Sequence, residues 1–122
     1  TPLEGLSRLE YLDLRHNRIA TLKPLAAMTK LKILYLSENY VDDLTPLTGM
    51  MKLEQLNLHD NKVVELASLS DLKALRVLTL TKNPGLFLEQ VEKLQAALPK
   101  CTIHHNAEIK PEAPVKPVKS PR

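Results

Sequence analysis

Disulfide bonds and aromatic side chains contribute little to this protein. Its 122 residues include one cysteine, Cys101, no tryptophan, one phenylalanine and three tyrosines. A single cysteine excludes a disulfide framework within the chain. With so few aromatic residues, leucine has to supply most of the hydrophobic core.

Long hydrophobic runs are also missing. No stretch approaches the roughly 20 apolar residues that a membrane-spanning helix needs, and no charged-then-apolar signal segment opens the sequence. We therefore expect no insertion into a membrane. Because the sequence begins with Thr1 rather than Met, the compartment stays open: the protein is cytoplasmic, or it is secreted or displayed at the cell surface after removal of a leader.

The positive charge is small and uneven. The formal net charge is +3, and the segment after Asn106 holds +2 of it, through four basic and two acidic residues. Residues 1–106 are thus nearly neutral, whereas a nucleic-acid-binding surface needs clustered Lys and Arg on one face. We expect no nucleic-acid partner.

Residue patterns of known catalytic sites are absent from the sequence, which has neither a Gly-rich phosphate loop nor a serine-nucleophile motif. His59 and Asp60 are neighbours, so their side chains should point apart in a strand. Cys101, His104 and His105 form only part of a metal-ligand set, and we interpret them as a buried cysteine followed by two exposed histidines. We predict no catalytic residue, no cofactor and no metal.

Four segments repeat one pattern at intervals of 22 residues. They are LEYLDLRHNRI from Leu9, LKILYLSENYV from Leu31, LEQLNLHDNKV from Leu53 and LRVLTLTKNPG from Leu75. Leucine takes the first, fourth and sixth positions of every copy, and asparagine takes the ninth. Further leucines and methionines recur after three of the copies. Repetition on this scale predicts a stacked repeat architecture.

The pattern resembles the leucine-rich repeat family over roughly residues 1–104. Its period is similar to that of the 22-residue class found in bacterial internalins and in the leucine-rich regulatory subunit of protein phosphatase 1. The resemblance implies an α/β fold: a short curved horseshoe with a parallel β-sheet on the concave face and 3₁₀ or short helical turns on the convex face.

The spacing of the residues leads to the same shape. Leu12 and Leu14 are two residues apart and so share one face of an extended strand. A single strand cannot bury that face, but stacked copies bury it against one another. Pro24 and Pro46 suit the start of a short helical turn on the return path. We interpret the asparagine column as a structural ladder that binds backbone groups stranded by the turn, formed by Asn17, Asn39, Asn61 and Asn83.

Three regions follow from these patterns. Residues 1–83 are predicted to form a partial first repeat and four strands. Residues 84–105 are predicted to form a C-terminal cap, with a helix over Leu86–Leu98 and a short final strand. The Pro- and Lys-rich residues 106–122 are predicted to be a disordered tail. Because TPLEGLSRL at the start matches TPLTGMMKL at residues 45–53, we expect upstream repeats or an N-terminal cap to be missing.

The residues at the third, fifth and seventh positions differ in every copy and should point out of the concave sheet. Tyrosine and arginine, which are enriched in interface hot spots, occur among them. We predict a protein or peptide ligand on this face, with the chain a monomer or part of a longer chain. The alternatives are a structural spacer in a larger surface or regulatory protein and a phosphatase-regulator-like scaffold. The predicted partner-binding residues are Tyr11, Asp13, Arg15, Ile33, Tyr35, Ser37, Tyr40, Gln55, Asn57 and His59. Val77, Thr79 and Thr81 are the equivalent outward-facing residues of the fourth copy.

Overall fold

A parallel β-sheet runs along one side of the molecule, as seen in a computed structural model that describes residues 8–109. Within this range each repeat gives one three-residue strand, and the cap adds a fifth. The strands are β1 (Tyr11–Asp13), β2 (Ile33–Tyr35), β3 (Gln55–Asn57), β4 (Val77–Thr79) and β5 (Thr102–His104). Their order in the sheet is their order in the sequence.

The strands pair so that equivalent residues of successive repeats lie side by side. Leu12 pairs with Leu34, Leu34 with Leu56, and Leu56 with Leu78. Because the register is 22 residues without slippage, every leucine column stacks into a continuous core. Leu34, Leu56 and Leu78 are at most 1% exposed. The predicted solenoid is confirmed.

The return path on the convex side contains short 3₁₀ turns, as predicted, rather than α-helices. They cover Lys23–Leu25, Thr45–Leu47 and Ala67–Leu69. Proline stands near the start of the first two turns, where its fixed φ favours the helical turn and its missing N–H costs nothing. Each turn directs one leucine into the core and so completes its layer.

The two ends of the stack differ in burial. Leu12 and Leu14 are only partly buried, since no strand lies on the outer side of β1 within the described residues. At the other end, helix α1 (Leu88–Ala97) covers the last layer and buries Val91 and Leu94. The helix is shorter than the predicted Leu86–Leu98, although both of those leucines are buried beside it.

A lysine side chain from outside the helix binds the C-terminal end of α1. No basic residue lies in its last turn, but the Lys73 ammonium donates a hydrogen bond to the Ala97 carbonyl oxygen at 3.0 Å. A cation at this position is favoured because the carbonyls of the last turn carry partial negative charge.

The first residues after the cap form hydrogen bonds with the rest of the fold. The backbone N–H of Lys82 donates to Asn106 Oδ1 at 3.2 Å, and the N–H of Leu88 donates to the Glu108 carbonyl oxygen at 2.8 Å. Residues 106–109, predicted to belong to the tail, therefore pair with the cap. The remaining predicted tail, residues 110–122, lies outside the described residues. Within residues 8–109, α1 is too short and too polar to cross a lipid bilayer.

Candidate functional site

The concave face presents three rows of side chains that run across the strands. The pairing register places them as follows: Tyr11, Ile33, Gln55, Val77 and Thr102; Asp13, Tyr35, Asn57, Thr79 and His104; and Arg15, Ser37, His59 and Thr81. Thr102 and His104 were not among the residues predicted for this face. The alternation of Cys101 and Ile103 with them was the signal that could have added them.

Exposure along the rows is uneven. Tyr11 is 52% exposed and Val77 is 36% exposed, whereas Ser37, predicted to face a partner, is only 7% exposed. Ser37 has a short side chain set between the longer Arg15 and His59 of the adjacent strands. It therefore fills the face between them and exposes little side-chain surface.

An aromatic and charged cluster dominates the N-terminal half of the face. The rings of Tyr11 and Tyr35 meet edge to face, with centroids 5.6 Å apart and planes at 80°. The guanidinium carbon of Arg15 lies 5.4 Å from the centroid of the Tyr35 ring, within cation–π range. The Tyr35 hydroxyl donates a long hydrogen bond, 3.4 Å, to Gln55 Oε1.

Asp13 fixes the orientation of Arg15. The Arg15 guanidinium donates two parallel hydrogen bonds to the carboxylate, at 2.9 Å from Nε to Oδ1 and 2.7 Å from the terminal nitrogen to Oδ2. This side-chain hydrogen bonding, together with the backbone N–H of Arg15, lowers the pKa of Asp13 below its ordinary value. The pair is solvent-exposed, so its main effect is to position the guanidinium rather than to stabilise the fold.

The remaining predicted residues lie beside this cluster or farther along the sheet. His59 Nδ1 hydrogen bonds to the Thr81 hydroxyl, and its backbone N–H donates to Asn57 Oδ1 at 3.0 Å. Tyr40 is 51% exposed but follows Asn39 in the turn and belongs to none of the three rows. A shallow depression of about 310 Å³ lies in the middle of the face, lined by Arg15, Tyr35, Gln55, Leu56, Asn57, Val77 and Thr79.

The asparagines lie beneath the end of the sheet and not on its face. Asn39, Asn61 and Asn83 are at most 5% exposed, and each accepts a hydrogen bond from a backbone N–H of the preceding repeat. Asn17 is exposed, and its amide donates only to the Leu14 and Arg15 carbonyls of its own repeat. Cross-repeat bonding is therefore seen at three of the four positions.

Comparison with known proteins agrees with this geometry. The family model for leucine-rich repeats in two copies matches residues 7–49. The chain has the fold of a leucine-rich repeat solenoid and is similar in sequence to that family over these residues. No curated protein matches the sequence.

Solved structures of leucine-rich repeat proteins superpose on most of the chain. An internalin (inlF) from Listeria monocytogenes has a TM-score of 0.79 at 26% identity over 90% of this chain. Internalin C2 (inlC2) from the same species has a TM-score of 0.79 at 34% identity over 87%. A leucine-rich repeat protein from Leptospira interrogans has a TM-score of 0.70 at 30% identity over 78%. The chain spans 32%, 46% and 25% of these proteins, in that order.

Leucine-rich repeat proteins generally act as protein–protein interaction modules, and proteins of this family are typically not catalysts. In the described part of this chain, no three His, Cys, Asp or Glu side chains come together as metal ligands. Cys101 is 4% exposed, and burial raises the pKa of its thiol. His105 Nδ1 accepts a hydrogen bond from the Ala107 N–H at 3.1 Å.

One backbone feature of these leucine-rich repeats was not predicted from the sequence. The residue just before each asparagine has a left-handed conformation, with φ between 60° and 61°, at His16, Glu38, Asp60 and Lys82. None of the four is glycine, the residue that adopts this conformation at least cost. In three of the four repeats the asparagine that follows the left-handed residue is buried and bonds to the preceding repeat.

Proposed function

We propose that the chain is a non-catalytic protein-binding module that takes a protein or peptide ligand on its concave face. The observation that carries the proposal is the Tyr11, Tyr35 and Arg15 cluster. Tyr11 and Arg15 both contact the Tyr35 ring on an open surface where a partner can reach them. The core beneath them is constant from repeat to repeat, while the face above it varies.

The side chains of the cluster have partners within the chain itself. Tyr35 is held between the edge of Tyr11 and the guanidinium of Arg15, and Arg15 is held by Asp13. Association normally costs about 0.5–1.5 kcal/mol for each flexible side chain that becomes immobilised. Because these side chains already have partners, that cost is reduced. Tyrosine and arginine are also the residue types most often found as interface hot spots.

The size of the face favours a peptide or part of a larger interface. A standard protein interface uses about 20–30 residues on each side, whereas the three rows contain fourteen positions, one of them the buried Ser37. A ligand that contacts this face alone should therefore be an extended peptide or a small protruding element. The open sheet also excludes water poorly, which is unsuitable for catalysis.

The binding face can be located with two photo-crosslinking variants of the intact chain. The crosslinking amino acid replaces Tyr11 in one variant and Met51 in the other. Both residues are 52% exposed, but Met51 follows the second 3₁₀ turn and lies off the sheet. We expect a specific crosslinked protein from extracts of the source organism with the Tyr11 variant and none with the Met51 variant.

Affinity for the purified crosslinked partner then tests whether the concave face makes the binding contacts. Loss of a hot-spot tyrosine costs about 2 kcal/mol or more, so Tyr35→Ala should raise Kd at least roughly 30-fold. Met51→Ala should leave Kd unchanged. Thermal unfolding of both variants checks that each remains folded. Equal Kd values for Tyr35→Ala, Tyr11→Ala and the unaltered chain would rule out the concave face and place the binding site elsewhere, whereas the absence of any crosslinked protein with the Tyr11 variant would favour the spacer alternative.

A further inference from the structure

A second surface, away from the concave sheet, combines exposed apolar side chains with negative charge. Two depressions of about 520 Å³ and 470 Å³ share Val64 and Glu65 and so form one continuous trough. The trough runs from the turn after the second strand, past the turn after the third, to the start of α1. Val64 is 45% exposed and Ile109 is 78% exposed, and both belong to its lining. The apolar lining is Val64, Phe87, Leu88 and Ile109, with Leu44 and Ala67 at the far end.

Carboxylates line this trough along its whole length. They are Asp42, Asp43, Glu65, Glu89 and Glu92. None of the described lining residues is basic. Asp43 stays ionised because the N–H of Thr45 donates to its carboxylate at 3.0 Å, which lowers its pKa. An occupant of complementary chemistry would be basic, partly apolar and extended.

The chain itself carries such a segment directly after Ile109. Residues 110–122 contain four basic residues and one acidic residue. Their net charge of +3 equals that of the whole chain, so residues 1–109 are formally neutral. Because Ile109 already lines the trough, the segment begins inside it.

The order of residues in this segment has a period of three. The prolines Pro111, Pro114 and Pro117 are three apart, and so are Val115 and Val118. The four basic residues are also separated by multiples of three: Lys110, Lys116, Lys119 and Arg122. A polyproline II helix has three residues per turn, so in that conformation the valines would form one stripe and the cations another.

We propose that residues 110–122 dock in this trough of their own chain as an extended polyproline-type segment. The valine stripe packs on Val64 and its apolar neighbours, and the basic stripe faces the carboxylates. Thirteen residues of polyproline II reach about 40 Å. The trough crosses only three layers, which stack at about 4.8 Å each, so the segment is long enough to fill it.

The test uses the full chain with a nitroxide spin label on an Ala113→Cys variant, which in a polyproline II conformation lies about 12 Å along the trough from Ile109, and whose spectra report how close the label comes to each backbone amide. The native Cys101 is buried and should not react. We expect the amide signals of Val64, Glu65 and Leu88 to lose most of their intensity, and those of Asn57 and Thr79 on the concave face to keep theirs. Signals of the trough amides that are unaffected, or broadening that is equal on both faces, would overturn the proposal.

Charge variants identify the interaction. Glu65→Lys combined with Glu92→Lys should abolish the loss of intensity, and both residues are exposed, so folding should be preserved. Glu54→Lys is the matched control, since it reverses an exposed carboxylate outside the trough. Salt at 1 M, where the screening length is about 3 Å, should restore the signals, and persistence under either condition would contradict docking by charge.

An isotope mixture separates docking within one chain from docking between copies. Spin-labelled chains without ¹⁵N are mixed with ¹⁵N-labelled chains that carry no spin label. We expect no loss of intensity in the mixture. Loss at Val64 and Glu65 there would mean that the segment of a second copy occupies the trough, which would overturn the intramolecular proposal. The trough lies apart from the Tyr11 and Tyr35 cluster, so either proposal can fail without the other.

Discussion

The side chain of Asn61 accepts a hydrogen bond at 2.9 Å from the backbone N–H of Val41, which lies twenty residues earlier in the chain. The same side-chain amide donates to the Leu36 carbonyl oxygen at 2.9 Å. One buried amide thus satisfies a donor and an acceptor of the repeat before its own. The solenoid is therefore held together by these side-chain bonds as well as by the strand ladder and the leucine core.

Replacing Asn61 with alanine should lower the free energy of unfolding by about 2 kcal/mol, because the Val41 N–H is left unpaired and a buried unpaired group costs about 1–3 kcal/mol. The Leu36 carbonyl oxygen keeps its hydrogen bond from the Asn39 amide. Urea denaturation measures the loss. Asn17→Ala is the control: Asn17 is exposed and bonds only within its own repeat, so the loss should stay below about 1.5 kcal/mol. Equal losses for the two variants would contradict the role assigned to the cross-repeat bonds.

The left-handed residues should be sensitive to the shape of the side chain. Asp60 has φ of 60° and an exposed side chain, so Asp60→Val tests the backbone with little effect on packing. A β-branched residue is poorly tolerated in this region, and we expect a loss of about 1–2 kcal/mol in the free energy of unfolding. Asp60→Gly should cost much less, since glycine adopts positive φ without strain. If valine and glycine destabilised equally, conformation would not be the cause.

Gly85 should not accept a methyl group. A Cβ at this position would lie 2.6 Å from Val64 Cγ1, so the turn after β4 packs on Val64 only because glycine is there. Overpacking in a core costs about 1–3 kcal/mol, and because Val64 is 45% exposed and can move, we expect a loss near the lower end, which thermal or urea unfolding of Gly85→Ala would show. Gly49→Ala is the control, because a methyl group added there would have nothing within 4 Å of it.

A second change identifies the clash. Val64→Ala removes the methyl that Gly85→Ala would meet, so the double variant should recover most of the stability lost in the single one. The interaction is read from a double-mutant cycle. Additive losses would mean that Gly85 is required for another reason.

The Asp13–Arg15 pair gives a pH prediction. Hydrogen bonding from Arg15 lowers the pKa of Asp13 in the folded protein, so the ion pair persists above the ordinary Asp pKa of about 3.9 and is lost as the pH falls through the lower folded value. Carboxyl ¹³C shifts should show a titration midpoint below the ordinary value. In Arg15→Gln the midpoint should rise toward it, and an unchanged midpoint would show that Arg15 is not the cause.

The leucine columns could be predicted because stacking makes each position depend on the same position one repeat away. Burial of Leu34 could be predicted from the sequence, because its repeat position is leucine in every copy and because Leu34 and Leu36 lie two residues apart on one face of a strand. The 3₁₀ turns were predictable for a related reason, since Pro24 and Pro46 fix φ near the turn start.

The burial and backbone conformation of residues on and beside the concave face could not be predicted from the repeat pattern. Ser37 is buried because the residues beside it are longer, and that comparison requires the stack to be assembled. The left-handed φ of Glu38 leaves no mark in the sequence, because this position is His, Glu, Asp or Lys in the four copies. The helix α1 was predicted too long, since Leu86 and Leu98 continue its apolar spacing but pack from outside its ends.

The constant 22-residue register has a consequence for how such a chain can change in length. Each layer recognises its neighbours through the same leucines and the same amide, with no offset that accumulates along the stack. A coding segment for one whole coil, such as residues 31–52, could be duplicated or removed in frame, and the seams on either side would still match. Recombination could therefore lengthen or shorten the scaffold while point mutation alters what each coil displays.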